Sequence, residues 1–216
     1  ITAKEVGGDF YDFYFVSPGK LALVVADVSG KGIPAALFMM RAKTTLQSYL
    51  KSGLGVVEAV GRANHRLATD NDANMFVTAW IGVVDLATGE MEYVNAGHNP
   101  PLVKRTDGSV EYLTARSGPP LAVMDGVNYR RQTLALGPSD GILLYTDGVT
   151  EATNRDEALY GEERLRQTMR SLLGAHDASA LIGGVLKDVD AFTDGAEQAD
   201  DITLLGFKLV RLQNVK

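Results

Sequence analysis

Gly7-Gly8-Asp9-Phe10-Tyr11-Asp12 opens an apolar run that breaks at Ser17-Pro18-Gly19-Lys20 and returns through Leu21 into Ala26-Asp27-Val28-Ser29-Gly30-Lys31-Gly32. Phe10 to Val16 and Leu21 to Ala26 read as strands, because both are rich in aromatic and β-branched residues. The segment between them is a turn by composition: proline presets its own φ and glycine accepts positive φ. A hairpin closed by that four-residue loop pairs Val16 with Leu21, and so Phe10 with Asp27. Asp9 then lies beside Asp27 at one end of the hairpin. A carboxylate next to a buried strand is costly unless it is paired or bound to a cation.

A second pair obeys the same logic. Asp147 follows the run Ile142-Leu143-Leu144-Tyr145, and Asp200 precedes Ile202-Thr203-Leu204-Leu205. If these runs are antiparallel neighbours, the end of one adjoins the start of the other. Two such pairs on one rim would suit hard divalent ions, which take oxygen ligands and activate water.

Bulk properties narrow the field. The chain has 216 residues, enough for one full-sized core or at most two small domains. No repeat, linker or low-complexity segment divides it, so residues 1–216 read as a single domain. There is no cysteine, which excludes disulfides and thiolate metal sites and suits a reducing, cytoplasmic setting. His65, His98 and His176 lack metal-ligand spacing, so zinc is disfavoured against magnesium, manganese or calcium. The formal charge is 21 − 27 = −6 with no basic run, which argues against nucleic acid as a partner. No apolar run reaches membrane-spanning length, and no signal peptide opens the chain.

Along the chain, Pro34 marks the first turn of a helix running to about Leu50, and Val56 to Ala68 makes a second, antiparallel to it. Leu37, Phe38, Met39 and Met40 make the first helix apolar nearly all round, which predicts deep burial. Strands follow at Phe76–Val84, Met91–Asn95, Leu102–Arg105, Val110–Leu113, Tyr129–Leu136 and Ile142–Thr146. A helix carrying Leu165, Met169, Leu172 and Leu173 stops at Gly174; Asp177 caps the next, and Ile202–Val210 is the last strand. Two strand blocks, separated and followed by helix pairs, predict an α+β architecture of two packed antiparallel sheets with helices outside.

The ordered motifs Gly7-Gly8-Asp9-Phe10-Tyr11-Asp12, Asp27-Val28-Ser29-Gly30-Lys31-Gly32, Ala96-Gly97-His98-Asn99-Pro100-Pro101, Thr146-Asp147-Gly148 and Asp200-Asp201-Ile202-Thr203 resemble those of the metal-dependent protein phosphatases of the PP2C (PPM) superfamily. They are most similar to its bacterial RsbU and SpoIIE branch, and the likeness covers nearly the whole chain. The resemblance implies an α-β-β-α four-layer sandwich with two Mn2+ or Mg2+ ions at one end. It implies that Asp27 bridges both ions, that the Val28 carbonyl ligates one, that Asp147 and Asp200 complete the first ion's set, and that Asp9 serves the second. It implies a serine/threonine phosphatase in which a metal-bridging hydroxide attacks phosphorus, without a phosphoenzyme. Its implied substrate is a phosphorylated STAS-type anti-sigma-factor antagonist. Relatives carry residues before the Asp9 motif, so the resemblance also implies a piece of a longer protein with an upstream sensory domain.

Other features read more plainly. Gly137-Pro138-Ser139-Asp140-Gly141 has the Gly-x-Ser-x-Gly spacing, but it separates two strands and so is not the strand-to-helix elbow of a serine nucleophile. Val28-Ser29 stands where eukaryotic members of the superfamily carry a histidine. Gly30-Lys31-Gly32 lacks the rest of a P-loop and reads as a tight turn beside Asp27. His98 reads as a structural residue of its turn, Asp12 as a strand residue, and Lys4 as a phosphate contact by analogy with some relatives. Asp70-Asn71-Asp72-Ala73-Asn74 begins like a calcium loop but has Met75 and Ile81 where glycine and glutamate are needed. The rival reading is a catalytically silent phosphoprotein-binding module; a two-metal phosphodiesterase is a further one.

Overall fold

The computed structural model describes residues 1–3, 6–69, 71–172 and 177–210. Lys4, Asp70, His176 and the helix stop at Gly174 lie outside them. A hairpin of β1 (Phe10–Ser17) and β2 (Lys20–Val28) leads into α1 (Ile33–Lys51) and α2 (Val56–Ala68). Then come β3 (Val77–Asp85), β4 (Glu90–Ala96), β5 (Leu102–Lys104), β6 (Val110–Tyr112), β7 (Gln132–Ala135) and β8 (Gly141–Tyr145). The short α3 (Asp147–Thr150), α4 (Gly161–Ser171), α5 (Ala178–Thr193) and β9 (Leu204–Lys208) complete the order.

The strands form two sheets, β1-β2-β3-β4-β7 and β6-β5-β8-β9, with every neighbour antiparallel. The two strand blocks are therefore not the two sheets. β7 returns to pair with β4 before β8 joins the second sheet.

Three buried clusters define four layers. Val24, Ala26 and Val28 of β2 share one with Leu46 of α1 and Val60 of α2. The alternate residues Leu23 and Val25 join Trp80, Ile142, Leu144 and Leu205 between the sheets. Leu143 and Tyr145 cluster with Leu165, Met169, Val185 and Val189 of α4 and α5. The parity is that of two stacked sheets, each showing alternate residues to its neighbours.

Two expectations need correction. Phe15, not Val16, opposes Leu21, and Phe10 opposes Ala26. The register shifts between Phe15 and Ser17, leaving Val16 as the extra residue of a bulge. This puts Asp9 in line with Asp27 rather than one residue away. The first helix is also not buried all round. Phe38 is 8% exposed, but Ile33, Leu37 and Met40 are 70%, 67% and 52% exposed. Only the stripe of Ala35, Phe38, Ala42, Leu46 and Leu50 faces the sheet, so Leu37 and Met40 are surface residues.

Candidate active site

The acids predicted to meet gather where the two sheets end together. Asp9 precedes β1, and Asp27 is the penultimate residue of β2, opposite Thr78 of β3. Asp27 has the parity of Leu23 and Val25, so it faces the space between the sheets. Asp147 opens α3 immediately after β8, with Thr146 as N-cap. β8 and β9 pair through Tyr145 and Leu204, as the strand ends require, and Asp200 lies on the approach to β9.

Thr146 ties the two sheets together. Its hydroxyl donates to Asp9 Oδ2 at 2.6 Å and accepts from the Thr203 amide at 3.0 Å. Asp9 and Asp27 lie close enough at the hairpin end to act on each other's protonation. Burial pushes Asp27 up to about 8, helped by the charges of Asp9 and Asp147. Burial likewise pushes Asp9 up to about 6, opposed by its hydrogen bonds from Thr146 and Thr203. Burial and the Asp200 charge raise Asp147. The site therefore holds more carboxylates than it can ionise without a compensating cation.

The adjacent acids Asp200 and Asp201 separate by environment. Asp201 accepts from the Ala3 amide at 2.8 Å and the Gly8 amide at 2.9 Å, pinning the segment before Asp9. Asp200 faces the site. Its Oδ1 accepts from the Asp201 amide at 2.8 Å, and Oδ2 lies 3.0 Å from Lys31 Nζ. Two glycines permit the close approach. A Cβ on Gly148 would overlap the Asp201 carbonyl oxygen, and one on Gly7 would overlap Asp201 Oδ2. The Val28 carbonyl faces Gly8, whose missing Cβ would stand 3.0 Å from that oxygen.

The donor set is hard oxygen throughout, which suits Mg2+ or Mn2+. The side chains do not form a closed cage: among the described residues, no three acids, histidines or cysteines stand close enough together to hold an ion. In chemistry and placement the residues fit divalent ions; in side-chain setting they are open.

Sequence reasoning missed three participants. Thr146 had a signal, since it stands inside Thr146-Asp147-Gly148. Lys31 shows in the sequence only as part of a turn. Glu151, raised by burial and by Asp147 and Asp200, had no motif to mark it. His98 lies beside the site but inside the fold. Its Nδ1 is 2.9 Å from Thr78 Oγ1, its amide donates to Asn95 Oδ1 at 2.8 Å, and burial pushes it down to about 4. Asp12 accepts from Gln47 on the helix side, away from the cluster.

Comparison with known proteins bears on the family and the fold. Residues 17–210 match the Stage II sporulation protein E (SpoIIE) family. Asp9 falls before the matched span, so its place in the cluster rests on the structure. The phosphoserine phosphatase RsbU of Bacillus subtilis is 28% identical over 180 residues, covering 83% of this chain and 52% of its own length. RsbP of the same organism is 29% identical over 156 residues, covering 70% and 38%. IcfG of Synechocystis sp. is 28% identical over 230 residues, covering 94% and 36%. The chain thus spans between 36% and 52% of these relatives. Among solved structures, the RsbU and RsbW domains of a Mycobacterium tuberculosis protein superpose with a TM-score of 0.81 at 29% identity, covering 97% of this chain and 57% of that one. The PP2C phosphatase domain of Bacillus subtilis SpoIIE gives 0.82 at 20% identity, covering 94% and 58%. With the four layers and the matched span in agreement, the chain belongs to the SpoIIE family and has the PP2C fold.

Proposed function

We propose that this domain is a metal-dependent serine/threonine protein phosphatase. The observation that carries the reading is the cluster of Asp9, Asp27, Asp147 and Asp200, in which burial holds Asp27 and Asp9 well above ordinary carboxylates and the charges of Asp9, Asp147 and Asp200 raise Asp27 further. Asp9, Asp27, Asp147, Asp200 and the Val28 carbonyl would together hold two Mn2+ or Mg2+ ions. Bound divalent ions supply a hydroxide nucleophile near neutral pH and offset charge on the phosphoryl oxygens. The chain's own residues set the geometry. Thr146 orients Asp9, and Asp201 anchors the segment that carries it.

The names of RsbU and RsbP, both phosphoserine phosphatases, support a phosphoserine substrate. A phosphorylated STAS-type anti-sigma-factor antagonist in the cytoplasm, dephosphorylated under control of a sensory domain elsewhere in a longer protein, is the finer reading. Among the described residues no helix is long and apolar enough to cross a membrane.

The test is hydrolysis of a phosphoserine peptide with Mn2+, with EDTA, and by Asp27→Asn with Mn2+. Turnover that needs the metal and disappears in the variant supports the proposal. Peptide binding without turnover would favour the silent binding module. Faster hydrolysis of bis-p-nitrophenyl phosphate than of the peptide would favour a phosphodiesterase.

A further inference from the structure

Both carboxylate oxygens of Asp200 are already engaged. Oδ1 takes the Asp201 amide at 2.8 Å, and Oδ2 takes Lys31 Nζ at 3.0 Å. The same ammonium donates to the Ala199 carbonyl at 2.9 Å, so it sits across the loop that presents Asp200. Lys31 stands between Gly30 (φ 87°) and Gly32 (φ 80°), both in the left-handed region that favours glycine. That turn joins the end of β2, which carries Asp27, to the start of α1. Lys31 thus links the two halves of the site by charge. Its field also reaches Asp147 and Glu151. Among the described residues it makes the one ion pair with a member of the aspartate cluster.

We propose that Lys31 is a displaceable counter-cation, holding Asp200 Oδ2 until a divalent ion takes its place. The inference rests on Asp200 being a metal ligand. An ammonium and a divalent ion repel at this range and compete for the charge of one carboxylate, so metal entry favours movement of Lys31 off Asp200. The pair is nearly half exposed on both sides, with side-chain exposures of 45% and 41%, so the lysine is held weakly enough to leave. Metal affinity is therefore set partly by a residue that coordinates nothing.

The test is calorimetric titration of Mn2+ into the full chain, comparing wild type with Lys31→Met and Lys31→Arg. Methionine keeps most of the length of the stem and removes the charge; arginine keeps the charge. Lys31→Met should tighten Mn2+ binding roughly three- to tenfold, while Lys31→Arg stays within about twofold of wild type. Thermal melts without metal check that both variants are folded. Unchanged or weaker Mn2+ binding by Lys31→Met would overturn the proposal while leaving the metal site standing. Absence of Mn2+ binding in all three folded proteins would overturn the metal reading itself, and this inference with it.

Discussion

The Thr146 hydroxyl donates to Asp9 Oδ2 at 2.6 Å, joining the end of a strand in one sheet to the start of a strand in the other. Together with the Asp201 bonds to the Ala3 and Gly8 amides, it sets how the two pairs of acids face one another. Thr146 is fully buried and also accepts from the Thr203 amide, so both sides of the hydroxyl are in use. Thr146→Val keeps the shape and removes both bonds. It should lower stability by about 1–3 kcal/mol, because Asp9 and the Thr203 amide lose a partner. Metal affinity should fall roughly tenfold, as when the support of a ligand is removed. Urea denaturation and Mn2+ titration check the two effects; a loss of stability with unchanged affinity would mean that Asp9 needs no orientation.

Asp200 and Asp201 should separate by variant. Asp201→Ala strips the acceptor from the Ala3 and Gly8 amides and should cost roughly 2 kcal/mol of stability. Asp200→Asn should leave stability within about 0.5 kcal/mol, since its ion pair is exposed, and should abolish turnover. Denaturation midpoints and phosphopeptide kinetics, measured together, decide the assignment; equal loss of stability in both would remove the distinction.

The pH dependence of metal-free stability follows from Asp27. Its ordinary value of 3.8 is raised to about 8, so the folded protein keeps a proton that the unfolded chain has lost. Its contribution is full below pH 3.8 and is lost as pH rises through 8. Asp9 runs the same way, up to about 6. His98, pushed from 6.5 down to about 4, opposes this only below pH 6.5. Between pH 6.5 and 8 the Asp27 slope stands clear: stability in EDTA should fall with rising pH, and Asp27→Asn should flatten the curve. Mn2+ should flatten it too, because binding displaces the proton. A metal-free stability that is level over this window would show that Asp27 is ionised without a cation.

His98 should behave as a structural residue. Its imidazole is neutral at pH 7, and its ring signals should titrate near 4 rather than 6.5 by NMR. His98→Asn should cost roughly 2–4 kcal/mol through a cavity and the lost Thr78 bond. The metal-loaded variant, where folded, should keep the wild-type pH profile of turnover; loss of one limb of that profile would make His98 a proton carrier instead.

Much of this site was legible because strands end where their apolar runs end. Ile142 to Tyr145 and Ile202 to Leu205 announce neighbouring strands, and an acid at each boundary has only the rim to occupy. Two packed sheets with helices outside were legible from the strand blocks and helix pairs, but the membership of each sheet was not, because β7 returns to β4 across the block boundary. Composition could not show the hairpin register, because Ser17-Pro18-Gly19-Lys20 closes the turn with or without an extra residue beside it. It could not divide α1 into a buried stripe and an exposed one when Leu37, Phe38, Met39 and Met40 are all apolar. Nor could it separate Asp200 from Asp201, because the amides that claim Asp201 belong to residues nearly the whole chain away.

The bulge at Val16 gives the hairpin one residue of slack. Paired in line, Val16 would set Phe10 against Asp27 and turn Asp9 out of the space between the sheets. Left out of the ladder, it lets Phe10 meet Ala26 and brings Asp9 level with Asp27. Deleting Val16 alone should therefore take up the slack without moving the acids, and Mn2+ binding should survive. Deleting Phe15 and Val16 together uses up more than the slack. Every residue of β1 before the gap then slips by one place and changes face, which should silence the site while all four acids remain in the chain.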